Sequence, residues 1–231
     1  EDVRGELFYR DGRLSLNRLR ASHGDTSFSA EVGCDILPDG SWQLQLRDLA
    51  ADRLRLDREL IAALPGQFRA RLAELQPQGP LNLRGTLEAG RAGQPGSPLT
   101  ARWDLNLGCH QASLQCGVPL ESICGSARLV GGFDGRQFHT RGEMNVDSLV
   151  SGHVQVTQLR GPFWIAAQRL LFGAWVDRPH DGRTPNSAAP ENPPRSVTAR
   201  MLGGTLTGDG WMDLASGSRC GLHAALVDGD L

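Results

Sequence analysis

Strand-sized runs in which Leu or Val alternates with a polar residue recur along the whole chain. They include RLSLNRLRA at 13–21, SWQLQLRDL at 41–49, DRLRLD at 52–57, PLNLRGTLEA at 80–89, TARWDLNLG at 100–108 and SVTARMLGGTLTGDGWMDL at 196–214. Successive side chains of a strand point to opposite faces, so a period of two predicts sheet with one apolar and one polar face. The residues predicted to share the apolar face are Leu14 and Leu16; Trp42, Leu44 and Leu46; Leu54 and Leu56; Leu81 and Leu83; and Trp103, Leu105 and Leu107. Further along they are Met144 and Val146; Val154 and Val156; Phe163 and Ile165; and Met212 and Leu214. Arg, Asp, Gln and Thr take the alternate positions.

Turn chemistry divides these runs. Asp11-Gly12 and Asp134-Gly135 read as hairpin turns, because Asp-Gly tolerates the positive φ that tight hairpins need. Pro38-Asp39-Gly40 repeats the device, and AGRAGQPGSP at 89–98 reads as a flexible hairpin loop. One stretch breaks the rhythm. In 58–75 the apolar residues Leu60, Ile61, Leu64, Phe68, Leu72 and Leu75 fall three and four apart, which predicts an amphipathic helix. Asp57 is its expected N-cap, and Pro65-Gly66 should split it. The Pro-, Asn- and Ser-rich segment 177–195 reads as a long exposed loop. The expected organisation is one domain, a fragment of a longer protein. It comprises a β-meander at 1–57, a helical insertion at 58–79, and continued sheet at 80–231 containing the long loop.

Composition then narrows the chemistry. All 24 cationic residues are Arg, so lysine-dependent phosphate loops and Schiff-base mechanisms are excluded. A net charge of −2 gives no electrostatic footprint for nucleic acid. No run of ~18 apolar residues could span a bilayer as a helix. The five cysteines do not make a complete disulfide framework. Cys109, Cys116 and Cys124 lie close together but lack CxxC spacing, which leaves semi-buried thiols or one Cys109–Cys116 bridge as readings. No GxSxG, HExxH, dinucleotide or EF-hand motif is present, and the six histidines are scattered singly. The expectation is a non-enzyme without cofactor or metal.

The sharpest motif is VTARMLGGTLTGDGWMDL at 197–214, followed by CGLHAALVDGDL at 220–231. A strand, Gly203-Gly204, then Leu206, Gly208 and Gly210, and a strand leading to an Asp-Leu step resemble the C-terminal repeat of the AsmA-like family, which includes TamB-like bacterial envelope proteins. The opening VRGELFYRDGRLSLNRLRASHGDTSFSAEVG and the stretch ICGSARLVGGFDGRQFHTRGEMNVDSLVSGHVQVTQLRGPFWI are similar to the family's other recurrent unit. The insertion at 58–75 and the loop at 177–195 depart from its pattern.

The resemblance implies an all-β fold, a curved and mainly antiparallel sheet forming an open, taco-like groove with one short amphipathic helical insertion. It implies that the apolar residues named above line that groove and hold a phospholipid or other acyl-chain lipid. It also implies a periplasmic or cell-envelope location, an inner-membrane anchor in flanking segments, and a part in moving phospholipid between membranes or in outer-membrane biogenesis. Two alternatives stay open on the residues alone. One is a closed structural or adhesion-type β-sandwich of a large surface protein. The other is an enzyme with an unrecognised site near 177–195 or Cys109–Cys124.

Overall fold

The computed structural model describes residues 2–63, 69, 72–73, 75–115, 118–166, 169–177, 195–213 and 219–229. Among these residues, thirteen strands form one antiparallel sheet. The chain starts as a plain meander in which each strand pairs with the next: β1 (Asp2–Arg10), β2 (Arg13–His23), β3 (Thr26–Ile36), β4 (Trp42–Leu54), β5 (Leu81–Arg91), β6 (Leu99–Gln115), β7 (Pro119–Phe133), β8 (Phe138–Ser151) and β9 (Val154–Ala166). Then follow β10 (Arg169–Phe172), a 3-10 turn (Gly173–Asp177), β11 (Val197–Met201), β12 (Gly204–Asp213) and β13 (Cys220–Val227). All-β architecture thus holds, and several strands are long: PLESICGSARLVGGF is one strand, as is VQVTQLRGPFWIA.

The turns follow their residues. Asp11 and Gly12 adopt φ of 49° and 78° between the paired Arg10 and Arg13, the two positive values a type I′ hairpin requires. Asp39 accepts from the Ser41 amide and hydroxyl, and these bonds hold its carboxyl below the usual carboxylate range. Asp134 does the same for its own turn, with the Gln137 and Arg136 amides as donors. Asp57 caps the helix α1 (Arg58–Ala63) by accepting from the Leu60 amide at 2.8 Å. The expected helical run beyond Ala63 lies largely outside the described residues, as do Leu64 and Phe68. The loop expectation falls mostly on 178–194, also outside them.

β10 and β11 share one position in the sheet. Both are antiparallel to β9 and to β12: β10 pairs Phe163–Ala166 and Gly210–Asp213, while β11 pairs Val156–Arg160 and Gly204–Gly208. They are two halves of one strand, interrupted by 173–196. Pro162 sits at the gap between the two halves, where a residue without a backbone N–H is tolerated. Asp209 ties the break together. Its carboxylate accepts from the Ala174 amide (2.8 Å) on one side of the interruption and from the Ser196 hydroxyl (3.0 Å) on the other. Two ion pairs to β8 anchor the same roots: Arg141–Asp177 at 2.6 Å and Arg195–Glu143 at 2.9 Å. Replacing Asp209 by Ala strands two donors in a part-buried place. We expect Asp209→Ala to lower unfolding free energy by about 1–3 kcal/mol, and Asp209→Asn, which keeps an acceptor, by clearly less. Urea denaturation followed by circular dichroism measures both.

The alternation is not strict, and its interruptions follow a rule. Leu16 and Leu19, Leu46 and Leu49, Ala51 and Leu54, Cys109 and Ala112, Leu120 and Ile123, and Val156 and Leu159 lie three apart within strands. In each case the residue before the second member has positive φ: Arg18, Asp48, Arg53, Gln111, Ser122 and Gln158, at 48–56°. Each is a bulge-like slip that returns the next apolar side chain to the same face. A non-glycine residue in this conformation costs about 1–2 kcal/mol. Burying a Leu side chain contributes about 1.5–3 kcal/mol, enough to offset it.

Candidate functional site

Cross-strand register assembles the alternating residues into continuous rows. The longest runs Leu7, Leu16, Val32, Leu46, Leu87, Trp103, Gly131, Thr140, Ile165, Leu170, Met212 and Cys220, one residue from each of the twelve sheet positions. A second joins Ala21, Phe28, Ala51, Leu83, Leu107, Ala127, Met144 and Gly161. A third joins Leu49, Gly85, Leu105, Leu129, Gly142, Phe163 and Phe172. A fourth joins Leu54, Leu81, Cys109, Gly125, Val146 and Leu159. Leu14 and Leu44 meet through Cys34.

The residues singled out by sequence are placed as follows. Leu14, Leu16, Leu44, Leu46, Leu54, Leu81, Leu83, Trp103, Leu105, Leu107, Met144, Val146, Phe163, Ile165 and Met212 fall in these rows, on one face. Val156 packs with them around Ala112, Ile123 and Leu149. Val154 lies opposite Ser151 at the strand end, Leu56 follows the end of β4, and Trp42 stands at the start of β4. Leu214 lies outside the described residues. Sequence reading passed over Leu19, Val32, Leu49, Leu87, Leu129 and Leu159; the three-residue slips hid several of these.

This face is neither a packed core nor a bare surface. Of the placed candidates only Phe163 is buried; the others are half-buried. Among the described residues no side chain is fully buried, whereas a chain of this size folded as a face-packed sandwich would contain several. Strand contacts run between sheet neighbours, and the 3-10 turn touches β9, β10 and β12. Ala112, Ile123 and Leu149 form a buried cluster on this face. At the sheet edges exposure rises, to 64% for Leu7 and 67% for Leu222.

The opposite face is ionic across β4–β8 and carries Trp164, Leu171 and Trp211 across β9, β10 and β12, with Leu171 buried. Arg84–Asp52 (2.7 Å) and Arg128–Asp104 (2.8 Å) bridge adjacent strands. The Arg128 hydrogen bonds hold the Asp104 carboxyl below its ordinary range. Arg141, Glu143 and Asp209, which root the interruption at 173–196, alternate with the apolar rows and belong to this side. The described ends of that segment therefore leave the apolar face clear. An open concavity of about 1060 Å³ sits near the β3–β4, β5–β6 and β7–β8 connections. Its lining includes Gln43, Glu88, Thr100, Arg102 and His139, and in register Glu88 faces Arg102, Arg102 faces Gly132 and Gly132 faces His139. By alternation these five belong to the polar side, but the lining also takes in Trp42, Ala89, Ala101, Gly131 and Phe133, which alternate onto the apolar side.

Cysteine chemistry is modest. Cys34, Cys109, Cys124 and Cys220 carry free thiols, and Cys116 lies outside the described residues. Burial pushes the Cys109 thiol up, and neighbouring Cys124 adds to this. Cys124 Sγ lies 3.7 Å from His110 Nδ1. Among the described residues no three His, Cys, Asp or Glu side chains converge as a metal site, and no helix is long and apolar enough to cross a membrane.

No family model, curated protein or solved structure matches this chain.

Proposed function

We propose that the apolar face is a lipid-holding surface, and that the chain is a non-catalytic segment of an AsmA/TamB-like envelope protein. In this reading it supports phospholipid transport between membranes or outer-membrane biogenesis, in the periplasm, with membrane attachment through flanking segments. The observation that carries the reading is the continuous row from Leu7 to Met212, apolar at every side chain but Thr140 and for the most part half-exposed. An acyl chain gains about 0.8 kcal/mol for each methylene removed from water and requires no directional partner, so a Leu, Val and Phe wall suffices. Twelve sheet positions at about 4.8 Å each give a path of roughly 50 Å. One leaflet of bilayer hydrocarbon is only about 15 Å deep, so several lipids could lie along it. The charged side chains of the opposite face keep that side of β4–β8 in water.

Native mass spectrometry tests this directly. The chain produced in a lipid-containing host should carry adducts of diacyl phospholipid mass that delipidation removes. Identical spectra before and after delipidation would overturn the proposal.

A further inference from the structure

One charged side chain breaks the apolar face, and it does so at the end of a strand. Outside the slips at Arg18, Asp48 and Arg53, Arg91 is the one arginine or carboxylate that alternation places on this face of the described strands. It ends β5, and register sets it between Trp42 of β4 and Leu99 of β6, with Ile36 beyond Trp42. Arginine and tryptophan both carry an apolar body and a polar tip, and such side chains collect where apolar material gives way to water.

Arg91 is also uncommitted. It is exposed, and among the described residues neither its guanidinium nor the Trp42 indole N–H has a partner. On the opposite face, by contrast, Arg84 and Arg128 are held by Asp52 and Asp104. Arg91 and Trp42 both line the concavity of about 1060 Å³ at this end of the sheet. The carboxylates that share it have other neighbours. Asp35 pairs with Arg13 at 3.6 Å, Asp134 accepts from the Arg136 and Gln137 amides, and Glu88 stands opposite Arg102 in register.

We infer that Arg91, with the Trp42 indole N–H beside it, holds the phosphate of a diacyl phospholipid whose acyl chains lie on the apolar face. The assignment rests on the lipid reading above and adds where the headgroup goes. A guanidinium stays charged at physiological pH and presents paired donors that match two phosphate oxygens. At about 3.4 Å per residue, Leu87 of the longest row lies about 14 Å from Arg91 along β5. Acyl chains that fill a leaflet about 15 Å deep reach it. The opposite strand ends offer no arginine on this face; the buried Ala112, Ile123 and Leu149 lie toward them. A bound lipid therefore has one favoured orientation, with its phosphate at the Arg91 end.

Two probes with identical acyl chains test this: dioleoyl phosphatidylethanolamine, and dioleoylglycerol, which lacks the phosphate. Each is incubated with the delipidated chain, excess is removed by size-exclusion chromatography, and bound lipid is measured by mass spectrometry. The unsubstituted chain should retain more of the phospholipid. Arg91→Gln should lower phospholipid retention about tenfold and leave dioleoylglycerol unchanged. Arg91→Lys, which keeps the charge, should recover most of the loss. Arg102→Gln removes a charge from the polar side of the same concavity and should leave both probes unchanged. Glycerophosphoethanolamine, the headgroup without chains, should not compete, because the chains supply the affinity. Arg91 and Arg102 are exposed, and circular dichroism checks that the fold is kept. Equal loss of both lipids in Arg91→Gln, loss of neither, the same loss in Arg102→Gln, or competition by the free headgroup would each overturn the assignment while leaving the lipid reading in place. Retention of neither lipid by the unsubstituted chain would overturn the lipid reading, and the assignment with it.

Discussion

Gly85→Ala should be among the most damaging single substitutions in this protein, lowering unfolding free energy by about 3–5 kcal/mol. Two independent terms add. Gly85 holds φ at 146°, a conformation that residues with a Cβ rarely adopt. A Cβ there would also run into the Asp104 carbonyl oxygen and lie 2.9 Å from Leu105 Cα on the neighbouring strand. Neither is the end of a flexible side chain, so the ladder itself must move. The same device recurs on alternate strands. Gly125 has φ 149° and would place a Cβ 2.6 Å from both Asn145 O and Val146 Cα; Gly161 has φ 150° and would place one 2.8 Å from Val197 Cα. Gly24 is the control: it has positive φ, 57°, in an open turn with no atom within 4 Å of where a Cβ would sit. Gly24→Ala should cost only about 1–2 kcal/mol, the backbone term alone. Urea midpoints for the two variants separate close approach from conformation. If Gly85→Ala were no worse than Gly24→Ala, the tight strand approach at Gly85 would not be needed for the fold.

These glycines and the six polar positive-φ residues explain what sequence could and could not convey. Alternation reported the strands, and Asp-Gly pairs and Asp57 reported turns and a cap, because each is a local signal with a local cause. Spacings of three inside strands, such as Leu46 to Leu49 or Val156 to Leu159, have the period of a helix, yet they are slips that keep one face apolar. Nothing local marks Arg18 or Gln158 as left-handed, since the gain comes from a cross-strand neighbour such as Ala30 or Val146. The split strand is illegible for the same reason. β10 and β11 are separated by residues 173–196, and only their common partners, β9 and β12, reveal that they occupy one position.

Asp209 shows how a motif can be seen and its work missed. In sequence it stands in GGTLTGDG, where the glycines suggest turn geometry. In the fold Gly208 and Gly210 flank it within a strand, and its carboxylate secures both roots of an inserted segment from the ionic side. With Arg141 and Glu143 it gives the described ends of that insertion a fixed exit away from the apolar rows. The interruption therefore leaves the row from Thr140 through Ile165 to Leu170 and Met212 intact. The lipid reading needs that continuity.

The lipid reading predicts a specific loss when one charge enters the wall. Leu87→Glu and Leu105→Glu place a carboxylate in two neighbouring rows of the apolar face. A carboxylate against hydrocarbon must keep its water or be protonated, and either costs several kcal/mol unless the acyl chain withdraws. Retained phospholipid should fall at least tenfold in each variant. Both positions are only half-buried, so the sheet can tolerate the charge by leaving it hydrated. Asn106→Glu is the matched control. It lies one residue from Leu105 on the same strand, on the ionic face, between Arg84 and Arg128 in register. It adds the same charge and should leave lipid retention unchanged. Equal loss in all three variants would mean that net charge, not the apolar face, governs association. No loss in any of them would place the lipid elsewhere on the molecule or nowhere. The informative pattern is loss at 87 and 105 with retention at 106, because adjacent residues of a strand differ chiefly in the face they occupy.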